Sequence, residues 1–227
     1  MSAGAAPVST PDPPPEQPSW QPAFEVLFVC TGNICRSAFA EMLARQLLVD
    51  RLGRAALERF AFASAGVRAN PGRPIHPSTR SALAVWGVGA VETGPAAFRS
   101  RRLDEKAIAG ADLILTAEEA HRAAIVWLSP EALPKAYGMR RFARMLRTVD
   151  QGPLPADPVR RALRIMELAP RLHAALPPVP LDQEAIPDPV NRSPHDHLLA
   201  ADLVFDVVST YIDVLAPPLV TDPPPHW

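Results

Sequence analysis

Apolar positions along this chain fall alternately into short continuous runs and into stripes at helical spacing. Phe24 to Val29 is an unbroken apolar run, interrupted only by Glu25 and rich in aromatic and β-branched residues, which predicts a buried strand. Ala38 to Leu48 follows with apolar residues three and four apart, the spacing of an amphipathic helix. The alternation continues with strands at Phe60–Ser64, Leu113–Thr116 and, briefly, Ala136–Met139. Helices are expected at Pro77–Trp86, Leu103–Gly110, about 118–128 and about 140–146. A closing helix over Pro194–Leu215 offers a broad apolar face that includes Leu199, Leu203, Val207, Tyr211 and Ile212. Strands separated by helices imply a parallel sheet covered on both faces.

Prolines bound the organised part. Residues 1–22 hold seven of them (Pro7, Pro11, Pro13, Pro14, Pro15, Pro18 and Pro22), and 217–227 are similar, so both ends are expected to be extended, disordered tails. The domain between them, 23–216, carries an insertion-like stretch near 150–183. There Pro153, Pro155 and Pro158 precede a helix expected at Val159–Leu176, and Pro177, Pro178 and Pro180 follow it. Either that stretch overhangs the site or it is a passive surface helix.

Composition narrows the function. A chain of 227 residues with 48% hydrophobic content builds one domain with a substantial core. A net charge of −1 argues against general nucleic-acid binding. No apolar run reaches membrane-spanning length and the first residues lack a signal-peptide core, so the expectation is a cytoplasmic protein without a membrane partner. Two cysteines five positions apart make no disulfide framework.

Those two cysteines, Cys30 and Cys35, lie in the loop between the first strand and the first helix: Cys30-Thr31-Gly32-Asn33-Ile34-Cys35-Arg36-Ser37. A strand, a tight loop and a helix N-terminus form a nest of N–H groups that binds oxyanions. Gly32 and Asn33 are residue types that tolerate positive φ, which such a turn demands. Arg36 offers a fork for two oxygens of a phosphate, and a helix N-terminus with a guanidinium favours the nucleophilic thiolate form of a cysteine. Ser37 is placed to donate a hydrogen bond toward the sulfur or to cap the helix.

The loop with Val29 before it and Glu41 beyond, together with Ala63-Ser64-Ala65-Gly66, Ala111-Asp112-Leu113-Ile114-Leu115 and Ile186-Pro187-Asp188-Pro189, resembles the low-molecular-weight protein tyrosine phosphatase family. The resemblance implies a three-layer α/β/α fold around a small parallel sheet of about four strands, and a cysteine-dependent phosphomonoesterase without cofactor or metal. Its substrate would be a phosphorylated protein or a small phosphomonoester, with inorganic phosphate as product. Cys30 would be the nucleophile, Arg36 the phosphate clamp and Asp188 the general acid and base; residues 31–37 would hold the phosphate. Asn33, Ser37 and Ser64 would support the loop, and Cys35 would be the redox partner that rescues an oxidised Cys30 as a disulfide.

This chain departs from the family pattern in places. Ala38 stands where proline is usual, and Phe98 where a histidine often supports the loop asparagine. Val190 and Asn191, and Arg68, Ala69 and Asn70, stand where phosphotyrosine-directed members often carry aromatics. Two alternatives stay open: an arsenate-reductase-like enzyme using an external thiol, and a phosphate-binding regulatory module. A protein-arginine phosphatase is a variant in which threonine is more usual at the position of Ile34. Among the histidines, His121 at the start of a helix either lines the site or, as is more usual, lies on a solvated face, His76 is expected in a Pro-flanked loop, and His195 and His197 on different faces of the last helix; no Cys/His spacing suggests zinc.

Overall fold

β1, Phe24–Cys30, is the strand around which the fold is organised, and almost all of it is buried. In the computed structural model, which describes residues 23–88 and 97–218, its side chains divide strictly by parity. Val26 and Phe28 enter one apolar cluster and Leu27 and Val29 the other, as a strand buried on both faces of a parallel sheet requires. The helix α1, Arg36–Leu52, leads to β2, Phe60–Gly66, which pairs in parallel with β1 from Phe24↔Phe60 to Cys30↔Gly66. After α2 (Pro77–Val85) and α3 (Glu105–Gly110) the chain crosses to the other side of β1. There it forms β3, Leu113–Thr116, then α4 (Glu119–Leu128) and β4, Ala136–Gly138. The sheet order is β2-β1-β3-β4, all parallel.

Helices α5 (Met139–Leu146), α6 (Pro158–Ala175), α7 (Leu181–Glu184) and α8 (Pro194–Leu215) complete the chain. The larger cluster joins Phe28, Phe39, Phe62, Phe142, Val208 and Tyr211 on the face covered by α1, α5 and α8. The smaller one joins Val29 and Ile114 to Ile108 of α3 and Ile125 of α4. Each fully buried aromatic or aliphatic side chain contributes roughly 1.5–3 kcal/mol, which is what fixes β1 at the centre. Local signals set the helix starts: Ser193 and Asp196 form a reciprocal capping box for α8, and the Asp157 side chain accepts from Arg160 N at the head of α6.

The expected elements are present with small shifts. β2 runs two residues further, to Gly66, and α3 begins at Glu105 rather than Leu103. Helical turns at Arg54–Glu58 and Pro130–Lys135 and the short α7 went unread. In the 150–183 stretch, α6 packs along α5 and α8, with Asp157 paired to Arg59 at 2.7 Å. Its C-terminal part is tied back to α5: Arg141 and Arg144 both meet Glu184, at 3.0 and 2.7 Å. The Pro-rich segment 1–22, and 219–227 of the second tail, lie outside the described residues. None of the described helices is long and apolar enough to cross a membrane.

One topological fact positions the site. From β1 the chain first steps outward to β2 and later steps the opposite way to β3, so the connections after β1 and after β3 diverge. Crevices at such a reversal, outside the carboxyl ends of the strands, are where open α/β sheets bind ligands.

Candidate active site

The 30–37 loop leaves the end of β1 at that reversal, turns, and runs straight into α1 at Arg36. Asn33 takes the left-handed conformation at φ 54°, as the sequence predicts for this turn. Gly66 at the end of β2 passes so close beneath that a Cβ there would lie 2.7 Å from Thr31 O and 2.8 Å from Asn33 N. Backbone bonds seal the contact: Val67 N donates to Cys30 O at 3.0 Å and Arg68 N to Thr31 O at 2.9 Å. Gly32 lies in the turn, and Ile34 is buried with its carbonyl accepting from His76 N at 2.9 Å.

A buried chain of hydrogen bonds runs from α1 through β2 into the loop. Arg101 N donates to Asn33 Oδ1 at 2.7 Å, which fixes the orientation of the amide. Asn33 Nδ2 therefore donates its two hydrogens to Ser64 Oγ at 2.7 Å and Ser37 Oγ at 3.0 Å. Ser64 in turn donates to Glu41 Oε2 at 2.6 Å. Ser37 Oγ lies 3.0 Å from Cys30 Sγ and 3.3 Å from Ala65 O. With Asn33 occupying one lone pair, a thiol at Cys30 donates to Ser37 and Ser37 to Ala65 O; with a thiolate, the Ser37 proton turns to sulfur. Phe98 supplies no hydrogen bond here, and Asn33 is held without it.

Arg36, 2% exposed, projects its guanidinium between three segments. Nη2 bonds Thr31 Oγ1 at 3.2 Å and pairs with Asp188 Oδ2 at 2.7 Å. Nη1 bonds Ile186 O at 2.9 Å and pairs with Glu118. Nε has no partner among the described residues and remains a free donor. The Asp188 loop is anchored by Ile186 N to Ala117 O at 2.8 Å, so the carboxylate arrives at the ends of β1 and β3 together. Cys30, Arg36 and Asp188 are thus brought to one place, with Ser37 and Ser64 beneath them.

Glu118, His121 and the grouping of Cys35 with two histidines are what the sequence reading missed or misjudged. Glu118, directly after β3, holds the Arg36 guanidinium; an acidic residue just past a strand end at the sheet's reversal was the available signal. His121, expected on a solvated face, is buried instead, and its Nε2 meets Thr31 Oγ1 at 2.9 Å. Burial, together with the Arg36 charge, lowers its pKa to about 4. The imidazole is therefore neutral near pH 7 and serves as a hydrogen-bond partner. Cys35, expected to be the redox partner of Cys30, is brought together with His76 and His197, which were read as a loop histidine and a helix histidine with no shared role. Burial pushes the Cys35 thiol up to about 12.

Around the mouth, Arg68, Asn70 and Asn191 are exposed and Val190 is half-buried, and no aromatic ring stands at these positions.

The profile of a family described as low molecular weight phosphotyrosine protein phosphatase matches residues 25–153. A probable low molecular weight protein-tyrosine-phosphatase, EpsP of Ralstonia nicotianae, is 32% identical over 144 residues, covering 63% of this chain and 84% of that protein. A protein-arginine-phosphatase of Geobacillus stearothermophilus is 32% identical over 119 residues, covering 52% of this chain and 71% of its own. Among solved structures, a low molecular weight protein tyrosine phosphatase from T. tengcongensis superposes with a TM-score of 0.59 at 22% identity, over 84% of this chain and 98% of that one.

Proposed function

Because the chain belongs to the low molecular weight phosphotyrosine protein phosphatase family, we propose that it hydrolyses phosphomonoesters through a cysteinyl-phosphate on Cys30. The observation that carries this reading is the Ser37 hydroxyl 3.0 Å from Cys30 Sγ, backed by Asn33, Ser64 and Glu41. It holds a thiolate in place by an oriented donor and stops the loop from relaxing.

In the first step the Cys30 thiolate attacks phosphorus. The S–P bond forms, the P–O bond to the leaving group breaks, and Asp188 delivers the proton that the departing oxygen needs. Loop N–H groups of residues 31–37 and the Arg36 guanidinium bind the three equatorial oxygens, where charge accumulates. In the second step the Asp188 carboxylate takes a proton from water, the oxygen attacks phosphorus, and the S–P bond breaks to release inorganic phosphate and the thiolate. Glu118 and Ile186 O orient Arg36, and neutral His121 orients Thr31.

The substrate class proposed is a phosphotyrosyl protein. Ile34 stands at the position where threonine is more usual in arginine phosphatases, and it supports this choice; the missing aromatic walls predict weaker selection for the phenyl ring itself. Hydrolysis of para-nitrophenyl phosphate by wild type, Cys30→Ser and Asp188→Asn tests the chemistry. Activity should vanish in the first variant and fall roughly 10²–10⁴-fold in the second, the range a general acid supplies. Phosphate binding by an inactive wild type would leave only a binding module. Arsenate reduction with an external thiol, without phosphatase turnover, would favour the reductase reading. A panel of phosphotyrosyl and phosphoarginyl peptides decides the substrate.

A further inference from the structure

Where the starts of α1, α2 and α8 meet, three metal-ligating side chains from distant parts of the chain converge. Cys35 is the N-cap residue of α1, His76 caps α2, and His197 lies in the first turns of α8. One ligand atom from each lies within 4.8 Å of the other two. The two imidazoles are stacked with centroids 4.4 Å apart and planes 16° from parallel. Cys35 and His197 are 4% and 3% exposed, while His76 is half-buried.

The proposed phosphoryl transfer uses none of these three side chains, and one of their buried polar atoms is unsatisfied. His197 Nδ1 lies 3.3 Å from Thr79 Oγ1, but its Nε2 is buried with no partner among the described residues. A buried ring nitrogen left without a partner is unfavourable unless something coordinates it. A small void of about 10 Å³ adjoins the cluster, lined by Cys35, Thr79, His197 and Pro189 among others. Thr79 lines the same void as Cys35 and His197, and its hydroxyl meets the His197 imidazole. Such outer hydrogen bonds are what orient ligands around a metal.

We propose that Cys35, His76 and His197 form a binding site for one zinc ion. One sulfur and two imidazole nitrogens are the donor set that zinc favours, with a water or a further protein oxygen in the fourth position. Donors around tetrahedral zinc stand about 3.4–3.6 Å apart, given its bond lengths. The three atoms therefore close by as much as about 1.3 Å, and the half-buried His76 ring turns out of its stack on His197, because each nitrogen lone pair lies in its own ring plane. On binding, Cys35 gives its proton to solvent and its sulfur electron pair to the metal, both imidazoles ligate in the neutral form, and waters leave the ion. The local interactions exchanged are the stacking of the two imidazoles and the cap bond from Ser78 N to His76 Nδ1, already long at 3.3 Å. The nearby Arg36 cation is offset by its ion pairs with Glu118 and Asp188. A bound ion ties the heads of α1, α2 and α8 together directly behind the loop. It also withdraws Cys35 from any disulfide with Cys30, so metal and disulfide would compete for one sulfur.

The test is metal binding by the full chain after stripping with a chelator, and it is independent of phosphatase activity. Wild type should bind one equivalent of Zn²⁺ against a chromophoric competitor, with a rise in melting temperature. With Co²⁺ it should show a thiolate-to-cobalt charge-transfer band and the visible absorption of tetrahedral cobalt. His197→Phe and His76→Ala should each lose the band and weaken Zn²⁺ binding more than tenfold. Their metal-free turnover of para-nitrophenyl phosphate should match wild type, which shows that they fold; if one does not, the other carries the test. Cys30→Ser should keep the band. Absence of a stoichiometric metal, or a band that survives His197→Phe and vanishes in Cys30→Ser, overturns the proposal.

Discussion

Replacing Gly66 by alanine adds one methyl group where the end of β2 touches the underside of the catalytic loop. That methyl would lie 2.7 Å from Thr31 O, 2.8 Å from Asn33 N and 3.0 Å from Ala69 Cβ. Ordinary contact begins at 3.4 Å, so the loop backbone has to retreat by about 0.7 Å. The two nearest atoms are main chain and have no rotamer to change. Gly66 is also the register partner of Cys30, and the bonds from Val67 N and Arg68 N pass the displacement straight to Cys30 and Thr31. A misplacement of about 1 Å at a reacting group costs on the order of 10²-fold in rate. Overpacking of this kind destabilises by about 1–3 kcal/mol. Gly66→Ala should therefore lower kcat for para-nitrophenyl phosphate by roughly 10- to 100-fold, with a measurable fall in Tm. Gly152→Ala is the control, because its added methyl meets only Asp150 Oδ1 at 3.4 Å. Wild-type kcat and Tm in Gly66→Ala would refute the claim that loop and strand are in rigid contact.

Ser64→Ala removes the acceptor of one Asn33 hydrogen and the donor to buried Glu41. At about 1–3 kcal/mol for an orphaned buried group, kcat should fall about tenfold, with little change in KM in steady-state assays. His121 makes stability pH-dependent with a definite sign. Burial and Arg36 lower its pKa to about 4, against the opposing effect of Glu118 and Asp188, while the unfolded chain titrates near the ordinary 6.5. Between those values the unfolded state holds more protons, so this contribution is full above pH 6.5 and is lost as pH falls toward 4. Tm measured across that window should drop less steeply in His121→Gln than in wild type; equal slopes would contradict the assignment. Tyr211 is fully buried in the larger cluster, its hydroxyl has no partner among the described residues, and burial drives its pKa upward. Tyr211→Phe should leave Tm unchanged or raise it by denaturation scanning, since the polar atom it deletes is uncompensated.

What was legible in the sequence was whatever neighbouring residues encode together. Val26 to Val29 reads as a two-sided buried strand because each side chain alternately feeds one of two cores. The chemistry proposed for Cys30 to Ser37 rests on local signals, because one turn and one helix start hold a thiol, a run of N–H groups and a guanidinium within eight consecutive positions. The short α7 carries no such signal: its four residues are held by Arg141 and Arg144 reaching from α5 to Glu184.

The remaining parts of the site are relations between segments that only the crossovers create. Four Asp-Pro pairs look alike locally; in the fold Asp157 caps α6 and pairs with Arg59, whereas Asp188 meets Arg36. Glu118 and His121 turn inward because β3 ends beside β1, and His121 then loses solvent and gains Thr31. Cys35, His76 and His197 come from the heads of three helices that pack together around the back of the loop. Local preferences act over a few residues, so the sequence by itself determined the strands, most of the helices and the turn of the 30–37 loop. Packing of two apolar faces on one sheet acts over the whole chain, and it alone decided which carboxylates and histidines surround that loop.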